Sequence, residues 1–151
     1  MTLDRALERS VKKIKNIPYK KKQSSIPLQP SHLILGNKGE EMAMEYLIAN
    51  GYEIVDRNVR YRWGEIDIIA NDPDSNDLVF VEVRTRSVGK IMPPDKTVGP
   101  NKLKKLIRSS RTWTETREYA GFWRIDLLAI TVNEGQASNI EHIKNITEGI
   151  L

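Results

Sequence analysis

The chain has 151 residues and a mass of 17.3 kDa, the size of one domain, with 39% hydrophobic and 29% charged residues. No apolar run approaches the roughly 20 residues of a membrane span. The absence of cysteine and the presence of only His32 and His142 exclude disulfides, thiolate chemistry and zinc sites of the sulfur or multi-histidine kind. The net charge of +4 is unevenly spread: residues 1–35 carry eight Lys or Arg against two acids, and residues 84–111 carry nine against one. The stretch between them is richer in acid. Basic segments flanking a cluster of carboxylates suit a polyanion held near a cation site.

Leu3, Leu7, Val11 and Ile14 recur at helical spacing and predict a short, basic amphipathic helix before Pro18. Residues 20–31 (KKKQSSIPLQPS) read as a linker. The expected organisation is therefore a basic arm and linker over 1–32 and a folded domain over 33–151. The arm lacks the apolar core of a signal peptide, and Asp4 and Glu8 argue against a transit peptide, so a cytoplasmic location is expected. A first helix is predicted over 38–50, closed by Gly51. Ala43, Met44 and Leu47 fall on one side of it, with Glu40 in the middle of that side. Two explanations stay open for Glu40: the capping box Asn37-x-x-Glu40, or a functional carboxylate.

Three strands are predicted next, over 52–60, 65–70 and 78–85, with the turn-rich NDPDSND joining the last two as a hairpin. Period-two alternation places Leu78, Phe80, Glu82 and Arg84 on one face of the third strand, and Val79, Val81 and Val83 on the other. By the same rule Glu65, Asp67 and Ile69 share a face of the second. After a loop over 86–100, a helix over 101–119 carries Leu103, Leu106, Ile107, Ser110 and Trp113 as its core stripe, with Lys104, Lys105, Arg108 and Arg111 opposite. A strand over 122–132, a turn over 133–139 and an edge strand over 140–146 complete an α/β fold with a mixed sheet. Trp113 is expected in the core, Trp63 is left open between base stacking and packing, and Glu141 and His142 are expected to be structural.

The informative tension is that apolar, strand-forming segments carry acids in their middles, although charged residues are rarely buried unless paired or metal-bound. If the hairpin brings Asp67 beside Glu82, two like charges share a small site and need a cation. Mg²⁺ suits such a pair, since it takes one or two carboxylates together with waters and phosphate oxygens. Simple ion pairing is the alternative: Asp67 with a neighbouring arginine, Glu82 with Arg84 or Arg124.

The blocks Gly39-Glu40, Gly51-Tyr52, Arg57-Asn58, Gly64-Glu65-Ile66-Asp67 and Phe80-Val81-Glu82-Val83, followed by Asn101-Lys102, Arg124-x-Asp126 and Glu141-His142, resemble the YraN-like family of predicted nucleases. The resemblance covers roughly residues 36–143. It implies a restriction-endonuclease-like fold with an αβββαβ core, a relation to archaeal Holliday-junction resolvases, and a divalent-metal site of the PD-(D/E)xK kind. Carried over, it makes Asp67, Glu82 and the Val83 carbonyl ligands of Mg²⁺ or Mn²⁺, with Glu40 acting through a second ion or a water. The position of the catalytic lysine is occupied here by Arg84, which stays protonated and cannot serve as a general base.

The expectation is thus an endonuclease acting on structured or branched DNA, with Glu40, Asp67, Glu82 and Arg84 as catalytic residues. Lys102, Lys104, Lys105, Arg108 and Arg86 would hold backbone phosphates. RNA is left open as a substrate, no integral membrane association is expected, and a symmetric junction would favour a homodimer. The competing readings are a nucleic-acid-binding module whose cleavage is lost through Arg84, and an interaction protein whose acids are only salt bridges.

Overall fold

The computed structural model describes residues 31–88 and 98–149, with side chains from Lys38 onward. The expected basic helix and linker, and most of the loop over 86–100, lie outside these residues. The elements run in the order α1 (Ser31–Ala49), β1 (Glu53–Tyr61), β2 (Gly64–Asn71), β3 (Leu78–Ser87), α2 (Pro100–Thr116), β4 (Trp123–Asn133) and β5 (Gln136–Ile143). The sheet keeps sequence order, β1-β2-β3-β4-β5, and only the β3–β4 pair is parallel. A parallel pair needs a crossover, and α2 supplies it. The result is the mixed α/β sheet with flanking helices that the pattern of elements predicted.

Two hydrophobic clusters sandwich the sheet. Ala43, Met44 and Leu47 of α1 pack with Ile68, Ala70, Val79, Val81, Leu128 and Ile130. Leu106 and Trp113 of α2 pack on the other side with Val55, Ile66, Ile69, Leu78, Phe80 and Ile125. The central strand β3 feeds both, its alternate residues going to opposite faces as its period-two pattern requires. Close approach of α1 to β3 depends on Gly39, where an added Cβ would collide with the Thr85 methyl. At its other end α1 closes with Gly51 at φ 84°. There Gly51 N–H donates to Ile48 O at 3.0 Å and Tyr52 N–H to Leu47 O at 2.9 Å, a Schellman pair that satisfies two terminal carbonyls.

Three expectations need correcting. Helix α1 begins at Ser31, so Glu40 lies in its interior and the capping-box explanation falls. The turn expected over 133–139 is only Glu134-Gly135, both at positive φ (48° and 78°), as a two-residue hairpin requires. Strand β5 therefore starts at Gln136; residues 136–139 are exposed on the sheet edge, so they carry no apolar alternation to announce them. Third, Glu65, Asp67 and Ile69 do not share a face. Ile66 packs on the α2 side and Ile68 on the α1 side, so the alternation of β2 breaks at Asp67. On β1, the residue between the pairs Arg57↔Ile68 and Val59↔Ile66 is Asn58, which adopts φ 50°. A left-handed residue in one strand lets both strands change phase there.

Candidate metal centre and nucleic-acid face

The break in β2 is what makes the centre. Regular pairing of β2 with β3 runs from Asn71↔Leu78 to Ile68↔Val81. Just beyond its end, the Asp67 carboxylate takes the place of a ladder acceptor, with Val83 N–H donating to Oδ2 at 2.8 Å. Asp67 is 7% exposed and Glu82, next to Val83 on β3, is 5% exposed. Two acids from adjacent strands are thus buried side by side.

Their charges are poorly compensated. Among the described residues no cation forms a salt bridge with Asp67, so its proposed pairing with a neighbouring arginine does not occur. Burial, then the charge of Glu82, push its carboxyl well above the ordinary carboxylate range, against the pull of the Val83 amide. Glu82 is also raised, mainly by burial, even though Lys102 Nζ lies 3.3 Å and Arg84 Nε 3.8 Å from its Oε1. Its other oxygen, Oε2, is buried with no hydrogen-bond partner among the described residues. An orphaned carboxylate oxygen beside a second carboxylate that holds its charge only with difficulty is a position that a hard cation would satisfy.

Glu40 contributes at longer range. It is half-buried on α1, and burial followed by the charge of Glu65 raises it, while Arg57, Arg60 and a hydrogen bond involving Asn58 pull it down. The phase break leaves Glu65 on this side of the sheet, where Arg60 Nε is 3.5 Å from its Oε2. Both acids add to the negative potential at Asp67. Among the described residues no group of three or more acidic or histidine side chains is close enough to hold an ion by itself. The donor set is therefore two carboxylates, which fits an ion that retains waters and accepts phosphate oxygens rather than one needing a closed protein cage.

The basic residues divide into two groups. Lys104 and Lys105 point to solvent from the first turns of α2, and Lys102 reaches back to Glu82. Arg108 is engaged instead with Trp63: its guanidinium carbon sits 3.8 Å from the ring centroid, Tyr61 stacks on the same indole at 5.1 Å and 4°, and Trp63 Nε1 donates to Ser109 Oγ at 3.0 Å. Trp63, left open by the sequence, is thus part of the joint between the β1–β2 hairpin and α2, beside a hollow of about 370 Å³ lined by Arg62, Trp63 and Arg108. Arg86 lies half-buried at the end of β3. Trp113 is fully buried, as expected.

A second polar cluster was not foreseen as a unit. Arg124 donates from Nε to Asp126 Oδ1 (2.9 Å) and from Nη2 to Asp72 Oδ2 (2.7 Å), and His142 Nε2 lies 2.8 Å from Asp126 Oδ2. Asn145 N–H and Asp74 N–H add bonds of 2.8 Å to Asp126 and Asp72 respectively. Burial alone would raise both aspartates, but these donors hold both below their ordinary values. The spacing Arg124-x-Asp126 was the available signal for it: two residues apart on a strand share a face.

Residues 39–130 match the sequence profile described as "Uncharacterised protein family UPF0102". A UPF0102 protein of Pelobacter propionicus is 37% identical over 80% of this chain and 86% of its own length. One from Geobacter metallireducens is 42% identical over 76% and 92%. The fold is similar to that of a repair endonuclease from Pyrococcus abyssi, at 20% identity and a TM-score of 0.38 over 74% of this chain, which spans 42% of that one's length. The profile begins at the glycine that seats α1 on β3 and runs through most of β4, and these relatives are matched over most of their own length: the chain belongs to family UPF0102.

Proposed function

We propose that this protein is a divalent-metal-dependent endonuclease that hydrolyses phosphodiester bonds in structured or branched DNA. The observation that carries the reading is the buried pair Asp67–Glu82, both raised first by burial and Asp67 also by the charge of Glu82, with Glu82 Oε2 left without a hydrogen-bond partner among the described residues. Asp67, Glu82 and the Val83 carbonyl would hold Mg²⁺ or Mn²⁺, which when bound supplies Lewis-acid polarisation of a phosphoryl oxygen. The Val83 amide fixes the Asp67 carboxylate, so the ligand is oriented before any ion arrives. Glu40 and Glu65 deepen the negative potential that attracts the ion. Arg84, whose Nε lies 3.8 Å from Glu82 Oε1, would neutralise the charge that develops on the phosphoryl group. Lys104 and Lys105 would contact backbone phosphates, giving affinity without base reading, and Arg86 would extend that track. The preference for branched DNA comes from the family resemblance.

One observation favours a second reading. Lys102 and Arg84 both lean on Glu82 Oε1, and no lysine follows Val83 on β3, so binding without turnover is the competing function. Incubation with forked, flapped and four-way DNAs in Mg²⁺ or Mn²⁺ separates the two. Cleavage that disappears in Asp67→Asn supports the endonuclease. Salt-sensitive binding of the same DNAs with no cleavage under any metal supports the binding module, and no binding at low salt excludes both.

A further inference from the structure

Building on the metal-centre reading above, we propose that Lys102 is a resident counter-ion of Glu82 that gives way to a divalent ion, and that its release couples metal loading to nucleic-acid binding. Lys102 lies two residues into α2, with its ammonium 3.3 Å from Glu82 Oε1. The Glu82 side chain is 6% exposed and that of Lys102 is 38% exposed, so the contact joins a fixed, buried acid to a cation at the rim. A lysine on a flexible four-carbon stem can leave such a contact without opening a cavity. Arg84 differs, since it stands on the same strand as Glu82, two residues away.

A divalent ion between Asp67 and Glu82 and an ammonium on Glu82 Oε1 are like charges competing for one carboxylate. Metal entry therefore weakens the hold on Lys102. The freed ammonium has an adjacent use: Lys104 and Lys105 continue the basic face of α2 into solvent, and Lys105 lies against Gly64 of β2. A phosphate backbone drawn along that face would receive Lys102 as an additional contact. Linkage is reciprocal, so a polyanion that draws Lys102 away from Glu82 raises the affinity of the acid pair for metal by the same factor.

The test is Mn²⁺ binding to the full chain without DNA, followed by the electron paramagnetic resonance of the free ion, at about pH 8 where protons compete less for the acids. Lys102→Met is expected to bind Mn²⁺ more tightly than wild type, on the order of tenfold, while Lys102→Arg, which keeps the competing charge, retains the weaker wild-type affinity. Binding to forked DNA at low salt, measured with and without Ca²⁺, should show a larger Ca²⁺-dependent gain in wild type than in Lys102→Met. Equal or weaker Mn²⁺ binding by Lys102→Met, or an equal Ca²⁺-dependent gain, overturns the proposal while leaving the metal centre intact. Absence of Mn²⁺ binding in both proteins overturns the metal centre and the proposal with it.

Discussion

The two buried acid clusters on this sheet are built from the same residue types and have opposite electrostatic outcomes. Around Arg124, two aspartates share a guanidinium, a histidine and backbone amides, and both are held below their ordinary values. Around Glu82, two acids share one amide and the outer reach of Lys102 and Arg84, and both are raised. The first cluster has enough donors within the chain and ties β4 to the β2–β3 turn and β5. The second is short of positive charge, which folding alone gives no reason to retain. A burial deficit of that kind is what separates a candidate site from a structural ion pair of similar composition.

Substitutions should break this contrast in opposite directions. Arg124→Met leaves Asp72 and Asp126 buried without their main donor. It should lower stability by about 3–5 kcal/mol in chemical denaturation, the usual cost of removing one partner of a buried pair. Asp67→Asn keeps an acceptor for the Val83 amide and removes a charge from the raised pair. It should raise stability in the metal-free protein by about 1 kcal/mol at pH 8 while abolishing the proposed metal-dependent cleavage, the exchange of function for stability that the proposed site requires.

The pH dependence sharpens the same contrast. Asp67 is raised from 3.8 to about 8, so its protonated form is favoured by folding. Its stabilising contribution is complete below its ordinary value and is lost as pH rises through about 8. The stability advantage of Asp67→Asn should therefore shrink as pH falls toward 4, and Mn²⁺ should reduce it at pH 8 by stabilising the ionised wild-type pair; thermal melts across pH with and without Mn²⁺ measure both. Asp72 and Asp126 carry the opposite sign, since their lowered values add stability that is complete above the ordinary carboxylate range and is lost as pH falls below it. The smallest effect is expected from Tyr52→Phe. It removes the 3.2 Å bond from the tyrosine hydroxyl to Asp72 and the hydroxyl's weaker contacts with Arg124 (3.5 Å) and Lys144, while Asp72 keeps Arg124 and the Asp74 amide. A loss of about 0.5 kcal/mol by denaturant titration would show that the Arg124 cluster is amply satisfied.

Much of this architecture is legible from residue order. The alternation of Leu78 to Val83 predicts a strand feeding two cores, and the spacing of Leu106 and Trp113 predicts the face α2 buries; both hold. The start of α1 was less legible, because Asn37-x-x-Glu40 imitates a cap within a helix already under way. The polar first half of β5 was silent because an edge strand facing solvent has no apolar rhythm. The family blocks pointed to Asp67 and Glu82 together, yet period two placed Asp67 on the wrong geometric footing, since it assumes an unbroken strand.

Composition and periodicity determined which segments could be strands or helices, and that acids would stand in the middle of two of those strands, because local preference and burial pattern are properties of neighbours in the chain. Which acids would be neutralised depended on partners far away in sequence. Arg124 reaches Asp72 across 52 residues, whereas Asp67 accepts from an amide 16 residues on and meets a second acid, Glu82, in place of a cation. That division was decided by the tertiary structure, through the left-handed turn at Asn58 and the end of regular β2–β3 pairing at Ile68, because electrostatic compensation is set by distance in space.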